Sequence, residues 1–170
     1  MNLPEELVTL LKKRESDNSQ LTLVTGVFDV LHQQHRQFLL EAKKIAPILI
    51  VALESDQRVR ILKGEGRPIN NAVKRQENLQ QWGIADLILL LPVDFGETSV
   101  RQAWLAAIKP DYLAVSSHTP FLAIKKQELA AVNGQVKVVH QFNPQISSSK
   151  IIDKKIHQMM NNHQTTRSSQ

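Results

Sequence analysis

Six consecutive apolar residues, Ile48-Leu49-Ile50-Val51-Ala52-Leu53, follow Pro47 without a polar interruption. A strand with one wet face would alternate apolar and polar side chains. An unbroken run is what a central parallel strand shows, because helices cover both of its faces. The flanking segments fit the same architecture. Residues 21–25, 86–91, 112–115 and 136–139 read as further strands. Amphipathic stretches at 3–14, 35–45, 57–62, 71–82, 97–108, 120–132 and 148–159 read as helices between and around them. Gly83 and Asn133-Gly134 supply helix stops, and Pro110 follows another. Strands that alternate with helices define an α/β fold with a doubly wound parallel sheet of five strands and helices on both faces.

In such sheets ligands sit beyond the carboxyl ends of the strands, where the strand order reverses. The first strand runs directly into Gly26-Val27-Phe28-Asp29, and His32 and His35 follow three residues apart at a helix start. That spacing lets both imidazoles point the same way from one turn. The unpaired backbone N–H groups and the dipole of a helix N-terminus favour an anion such as phosphate. Gly26 would let a ligand approach the backbone closely. Asp29 is expected to hold the turn through nearby backbone N–H groups. An ordinary polar cap is the competing reading of the histidines. Metal ligation by the chain is not expected, because there is no cysteine and no nearby carboxylate pair to complete a zinc set.

Two more pieces fall at the same end of the sheet. One is the stretch after the fourth strand, 116–118, where His118 is a weak ligand candidate. The other is Ser147-Ser148-Ser149, whose hydroxyls and backbone amides open the last helix. Lys63, on a Gly-flanked loop with Arg67, is a mobile cation, and Arg75 could grip a phosphate bidentately. Each also has a plainer reading, as a solvated loop charge, a surface helix residue or a helix cap. Trp82 and Trp104 stand among apolar neighbours at helical spacing and read as core.

Three ordered motifs carry a family resemblance. Gly26-Val27-Phe28-Asp29-Val30-Leu31-His32-Gln33-Gln34-His35 resembles the GxFDxxHxGH signature of cytidylyltransferase-like nucleotidyltransferases. Val59-Arg60-Ile61-Leu62-Lys63-Gly64-Glu65-Gly66-Arg67-Pro68-Ile69-Asn70 is similar to the VRRLKGxGRPIN segment of the heptose-phosphate adenylyltransferase branch, and Arg75 and Glu77 match its next helix. Ile146-Ser147-Ser148-Ser149-Lys150-Ile151 is similar to the (I/Y)STTxI helix start. The resemblance implies a Rossmann-like fold and transfer of a nucleoside monophosphate from a nucleoside triphosphate to a phosphorylated sugar or polyol. It places His32, His35, Lys63 and Arg75 in catalysis. It puts Gly26, Val27, Phe28 and Ser147, Ser148 and Ser149 around the nucleotide, with Asp29, Arg67 and His118 as weaker substrate contacts. Mg²⁺ is implied by the triphosphate, and a homodimer is a common assembly of the family.

The departures from that pattern are specific. Gln34 stands where the signature has Gly. The branch's Lys-Gly-Gly-Asp stretch after the fourth strand reads Val115-Ser116-Ser117-His118 here, without its charges. Phe142-Asn143-Pro144-Gln145 replaces the family's Glu-Gly before the last helix. Three functions therefore stand open: an adenylyltransferase, a cytidylyltransferase acting on a phosphorylated alcohol such as glycerol phosphate, and a degenerate module that binds nucleotide without turnover.

Composition narrows the setting. At 170 residues, one domain over 1–160 with a polar tail at 161–170, expected to be disordered, accounts for the chain. No apolar run is long enough to span a bilayer, and the first residues do not form a secretion signal. The lack of cysteine fits the cytoplasm. The 21 basic against 16 acidic residues suit phosphorylated ligands. Nucleic-acid binding is not expected, because the few aromatics are not interleaved with the basic residues.

Overall fold

Alternate residues of each central strand point to opposite faces of the sheet, and here both sets are apolar. In a computed structural model that describes residues 2–141, Lys150 and Ile152, the strands are β1 (Leu21–Gly26), β2 (Ile48–Leu53), β3 (Leu87–Leu90), β4 (Tyr112–Ser116) and β5 (Gln135–His140). They form one sheet in the order β3-β2-β1-β4-β5, with every pairing parallel. The helices are α1 (Glu5–Asp17), α2 (Gln33–Lys43), α3 (Asp56–Lys63), α4 (Ala72–Gln80), α5 (Thr98–Ile108) and α6 (Leu122–Ala130), and a 3₁₀ turn spans Val93–Gly96. Of the expected last helix only Lys150 and Ile152 are among the described residues, and both are helical; the three serines and the tail at 161–170 lie outside them.

Leu21, Leu23, Ile50, Ala52, Leu113 and Val115 pack on one face, against Leu7 of α1, Trp104, Leu105 and Ile108 of α5 and Leu129 of α6. Val24, Leu49, Val51, Leu53 and Ala114 pack on the other, against Leu39 and Ala42 of α2 and Leu79 of α4. The doubly wound architecture expected from the unbroken run at 48–53 is therefore the one observed. Each fully buried leucine or isoleucine in these layers contributes roughly 1.5–3 kcal/mol by leaving water. Trp104 is core, as its spacing implied, and Trp82 packs half-buried against the second layer.

Most element ends agree with the sequence reading to within two or three residues. α2 begins earlier than expected, at Gln33, which makes His32 its N-cap. α4 ends at Gln80, and Gly83 beyond it takes φ +60, a left-handed conformation that closes the segment.

The amino ends of the strands are fixed by two aspartates. Asp111, just before β4, accepts from the Leu21 amide (2.7 Å) and from Arg14 Nη2 (2.8 Å). Arg14 also donates to the carbonyls of Ile108 and Ser19. Asp86, just before β3, accepts from the Leu49 amide (2.7 Å) and from Lys43 Nζ. Each carboxylate thus ties an amide at the start of one strand to its neighbour and holds their register, which leaves the opposite, carboxyl edge for chemistry. Among the described residues no helix is long and apolar enough to cross a membrane.

Candidate active site

The strand order reverses between β1 and β4, and a cavity of about 330 Å³ opens beyond their carboxyl ends. The turn after β1 contributes Gly26, Val27, Phe28 and Asp29, and α2 contributes His32, Gln34 and His35. Lys63 and Arg67 reach it from the end of α3 and its loop; Ser116 from β4, Lys125 from α6 and His140 from β5 complete the wall.

The two histidines are set by the start of α2. His32 is extended (φ −146°, ψ 172°) and its side chain makes no cap bond. The helix's first amides, which have no intrahelical acceptor, therefore stay available to an anion. His35 lies three residues on, and the two rings stack with centroids 3.8 Å apart at 21°. Phe28 braces the pair, with its ring 5.3 Å from that of His35. Phe28 holds a left-handed backbone (φ +50°), an uncommon state for a bulky residue and one that needs support from its surroundings. That support explains Gly26. A Cβ there would meet Phe28 Cε2 at 2.7 Å. The glycine makes room for the Phe28 ring, where the sequence alone suggested room for a ligand.

Burial, then the charges of His32 and His140, push the His35 pKa down to about 3. Burial also lowers that of His32. Both imidazoles are therefore neutral near pH 7, each with one N–H to donate. The Nδ1 atoms of both are buried and have no hydrogen-bond partner among the described residues. A buried polar nitrogen without a partner is costly, and an incoming phosphate oxygen relieves that cost.

This electrostatic state has a measurable consequence. An unfolded chain protonates His35 near 6.5, whereas the folded protein resists until about 3. The unfolded state binds more protons in between, so stability is full above about pH 6.5 and falls as the pH drops towards 3, by up to about 1.4 kcal/mol per pH unit. Urea melts of the wild type and His35→Asn at pH 7 and at about pH 4.5 check this. The wild type should lose more stability on acidification; equal losses would show that His35 is not the group responsible.

The remaining expected residues divide. Lys63 is exposed at the cleft mouth and ends α3. Arg67 lines the cleft, but its Nε and Nη2 both contact Asp29 Oδ2, at 3.0 and 2.9 Å. Asp29 itself is 1% exposed and accepts from the amides of Ile69 (2.9 Å) and Asn70 (2.8 Å). Its anchoring partners lie some forty residues on, not in its own turn. Arg75, expected to grip phosphate, is placed elsewhere. It is fully buried and not part of the cleft wall, and it donates to the carbonyls of Val27 (2.6 Å), Glu54 (2.8 Å) and Asn70 (3.1 Å) and to Asp56 Oδ1 (2.7 Å). Its guanidinium ties together three backbone segments that surround the cleft. His118 is exposed and does not line the cavity.

Three wall residues were not singled out in the sequence. His140 closes β5, and its buried Nε2 has no hydrogen-bond partner among the described residues. Its position was findable, because β5 ends at the same carboxyl edge as β1 and β4. Thr119 and Lys125 are joined by a 2.8 Å hydrogen bond, and no local pattern marks them.

Paired neutral imidazoles on a helix start, at the switch point of a five-stranded parallel sheet, define the class: a Rossmann-like α/β domain whose cleft suits an anionic ligand. Over residues 23–154 the chain matches the cytidylyltransferase-like family, and it belongs to that family. It is 32% identical over 150 residues to the bifunctional protein HldE of Vibrio cholerae, covering 88% of this chain and 30% of that protein. It is 34% identical over 149 residues to HldE of Psychromonas ingrahamii, covering 87% and 30%. The chain thus spans about a third of the length of these relatives. Among solved structures, a lipopolysaccharide core biosynthesis protein from Thermoplasma volcanium has a TM-score of 0.58 at 22% identity, covering 74% of this chain and 97% of that one. The pantoate-beta-alanine ligase of Francisella tularensis, complexed with beta-gamma ATP and beta-alanine, also has a TM-score of 0.58, at 16% identity, covering 95% and 79%. At such identities the likeness is one of fold.

Proposed function

We propose that this domain transfers a nucleoside monophosphate, with ATP as the favoured donor, to a phosphorylated sugar or polyol. The observation that carries the reading is the stacked, neutral His32–His35 pair, whose partnerless Nδ1 atoms lie at an amide-rich helix start that lines the cleft. An acceptor phosphate oxygen attacks the α-phosphorus of the triphosphate. A new P–O bond forms there, the bond to the β-phosphate bridging oxygen breaks, and pyrophosphate leaves. The transition state spreads negative charge over oxygens, so catalysis is largely positioning and charge stabilisation. His32 and His35 donate N–H bonds to those oxygens, and the first amides of α2 add their dipoles. ATP is favoured by the motif at 59–70 and by the likeness to the HldE proteins.

Mg²⁺ is the ion a triphosphate brings, and it would shield charge on the phosphates. Asp29 is the carboxylate among the described wall residues, and both of its oxygens are taken by Arg67, Ile69 and Asn70. The described residues therefore do not fit a resident metal site, and no step is assigned to one.

A pyrophosphate-release screen tests the reading. Four nucleoside triphosphates are crossed with sugar and polyol phosphates in the presence of Mg²⁺. Turnover with ATP and a sugar phosphate is the expected result. Turnover with CTP and a phosphorylated alcohol would favour the cytidylyltransferase reading. Nucleotide binding without turnover would favour the degenerate module, to which Gln34 and the uncharged end of β4 point. The active pair also serves to test Lys63. Lys63 is exposed, and nothing lies within 4 Å of where side chains would start at Gly64 and Gly66 behind it, so the lysine has open space from which to reach bound phosphates. Lys63→Ala should reduce kcat far more than it raises KM for the nucleotide, the pattern of an interaction made in the transition state. A large rise in KM at unchanged kcat would make Lys63 a tether instead.

A further inference from the structure

A lysine on the cleft wall occupies surroundings that work against its charge. Lys125 lies in the first turn of α6, where the helix dipole disfavours a cation. It is half-buried and lines the cavity. Nearby sit Glu54 and Arg58 at the end of β2 and start of α3, Arg101 of α5 and Glu128 of α6. The two carboxylates are already engaged: Glu128 by Arg101, at 2.6–3.0 Å, and Glu54 by Arg58, at 3.2 Å. Among the described residues no carboxylate lies at ion-pair distance from Lys125, and one of its ammonium protons goes to Thr119 Oγ1 at 2.8 Å. Three cations therefore meet two anions, and Lys125 is the one without an ionic partner. Burial and Arg101 lower its pKa, while Glu54 and Glu128 act the other way. The adjoining end of β4, Val115-Ser116-Ser117, brings no charge of its own.

We propose that Lys125 binds the phosphate group held between the ends of β1 and β4, supplying from α6 the positive charge that the end of β4 lacks. The proposal rests on the nucleotidyltransferase reading and adds to it a phosphate-binding residue outside the three motifs. A phosphate oxygen would take the ammonium protons that Thr119 leaves and would balance the local charge. The phosphate belongs either to the triphosphate or to the phosphorylated acceptor, and separate probes distinguish the two.

Calorimetry with inorganic pyrophosphate, ATP·Mg²⁺ and glucose 1-phosphate, on the wild type, Lys125→Met and Lys125→Arg, tests this. Lys125→Met should weaken binding of at least one probe by about tenfold or more, and Lys125→Arg should stay within about threefold of the wild type. The probe that loses affinity names the source of the phosphate. If the wild type binds and Lys125→Met binds equally well, the proposal fails while the site reading stands. Equal weakening in both variants would show a packing role and would also overturn it. If the wild type binds none of the probes, the phosphate-site reading falls and takes this proposal with it. Lys125→Gln, which can still hydrogen-bond Thr119 but carries no charge, decides the matter should Lys125→Met fail to fold. Its affinity for at least one probe should drop by about tenfold or more, and an unchanged value would count against Lys125.

Discussion

His35→Ala should lower turnover with the true substrate pair by about a hundredfold or more, the usual cost of one donor to a charged transition state. The effect should be large because His35 is built into the site from several sides. Its ring stacks on His32, Phe28 braces it, and burial keeps it neutral. Removing it leaves His32 without its stacking partner and takes away the ring that Phe28, in its left-handed backbone, packs against on the cleft side. Single-turnover kinetics at saturating substrates, with circular dichroism to show an intact fold, measure the loss. A folded variant at full rate would remove His35 from the chemistry.

Arg75→Met should have the largest effect on stability, about 3–5 kcal/mol. The substitution nearly conserves volume, so the loss would come from polar groups. The carbonyls of Val27, Glu54 and Asn70 would lose their donor in the interior, and Asp56 would lose its ion partner. Each orphaned buried group costs about 1–3 kcal/mol. Because Val27 lines the cleft and Asn70 belongs to the loop that carries Arg67 there, activity should fall along with stability. Equilibrium urea unfolding, read together with activity, separates this role from a phosphate-gripping one. Unchanged stability with lost activity would return Arg75 to the ligand.

These two residues show what the sequence revealed and what it hid. The unbroken run at 48–53 specified a doubly buried parallel strand, and the histidines at a strand-to-helix junction specified the edge where the cleft lies. Both are local signals, in which period and spacing determine placement. Arg75 had a local signal too. It shares the buried stripe of α4 with Leu79, four residues on, and a charge on such a stripe must find acceptors inside the protein. The acceptors themselves lie just past β1 and β2, at the first residue of α3 and in the loop before α4, and no local pattern names them. Asp29 is similar, since its partners were fixed by the packing of the 67–70 loop across the cleft. Lys125 and His140 entered the site only because β4 pairs with β1 and β5 with β4, a juxtaposition set by strand order.

Strand order also governs when the cleft comes into existence. β1 and β4 are neighbours in the sheet, yet the bond that ties them, from the Leu21 amide to Asp111, joins residues 90 positions apart. β2 can pair with β1 as soon as both are made, but the wall supplied by β4, α6 and β5 must wait for a long loop to close. During synthesis, the histidines therefore emerge long before the chain that faces them. A nascent chain released before β4 carries the signature motif but has no cavity. The cleft is thus completed late, by the pairing with the greatest separation along the chain.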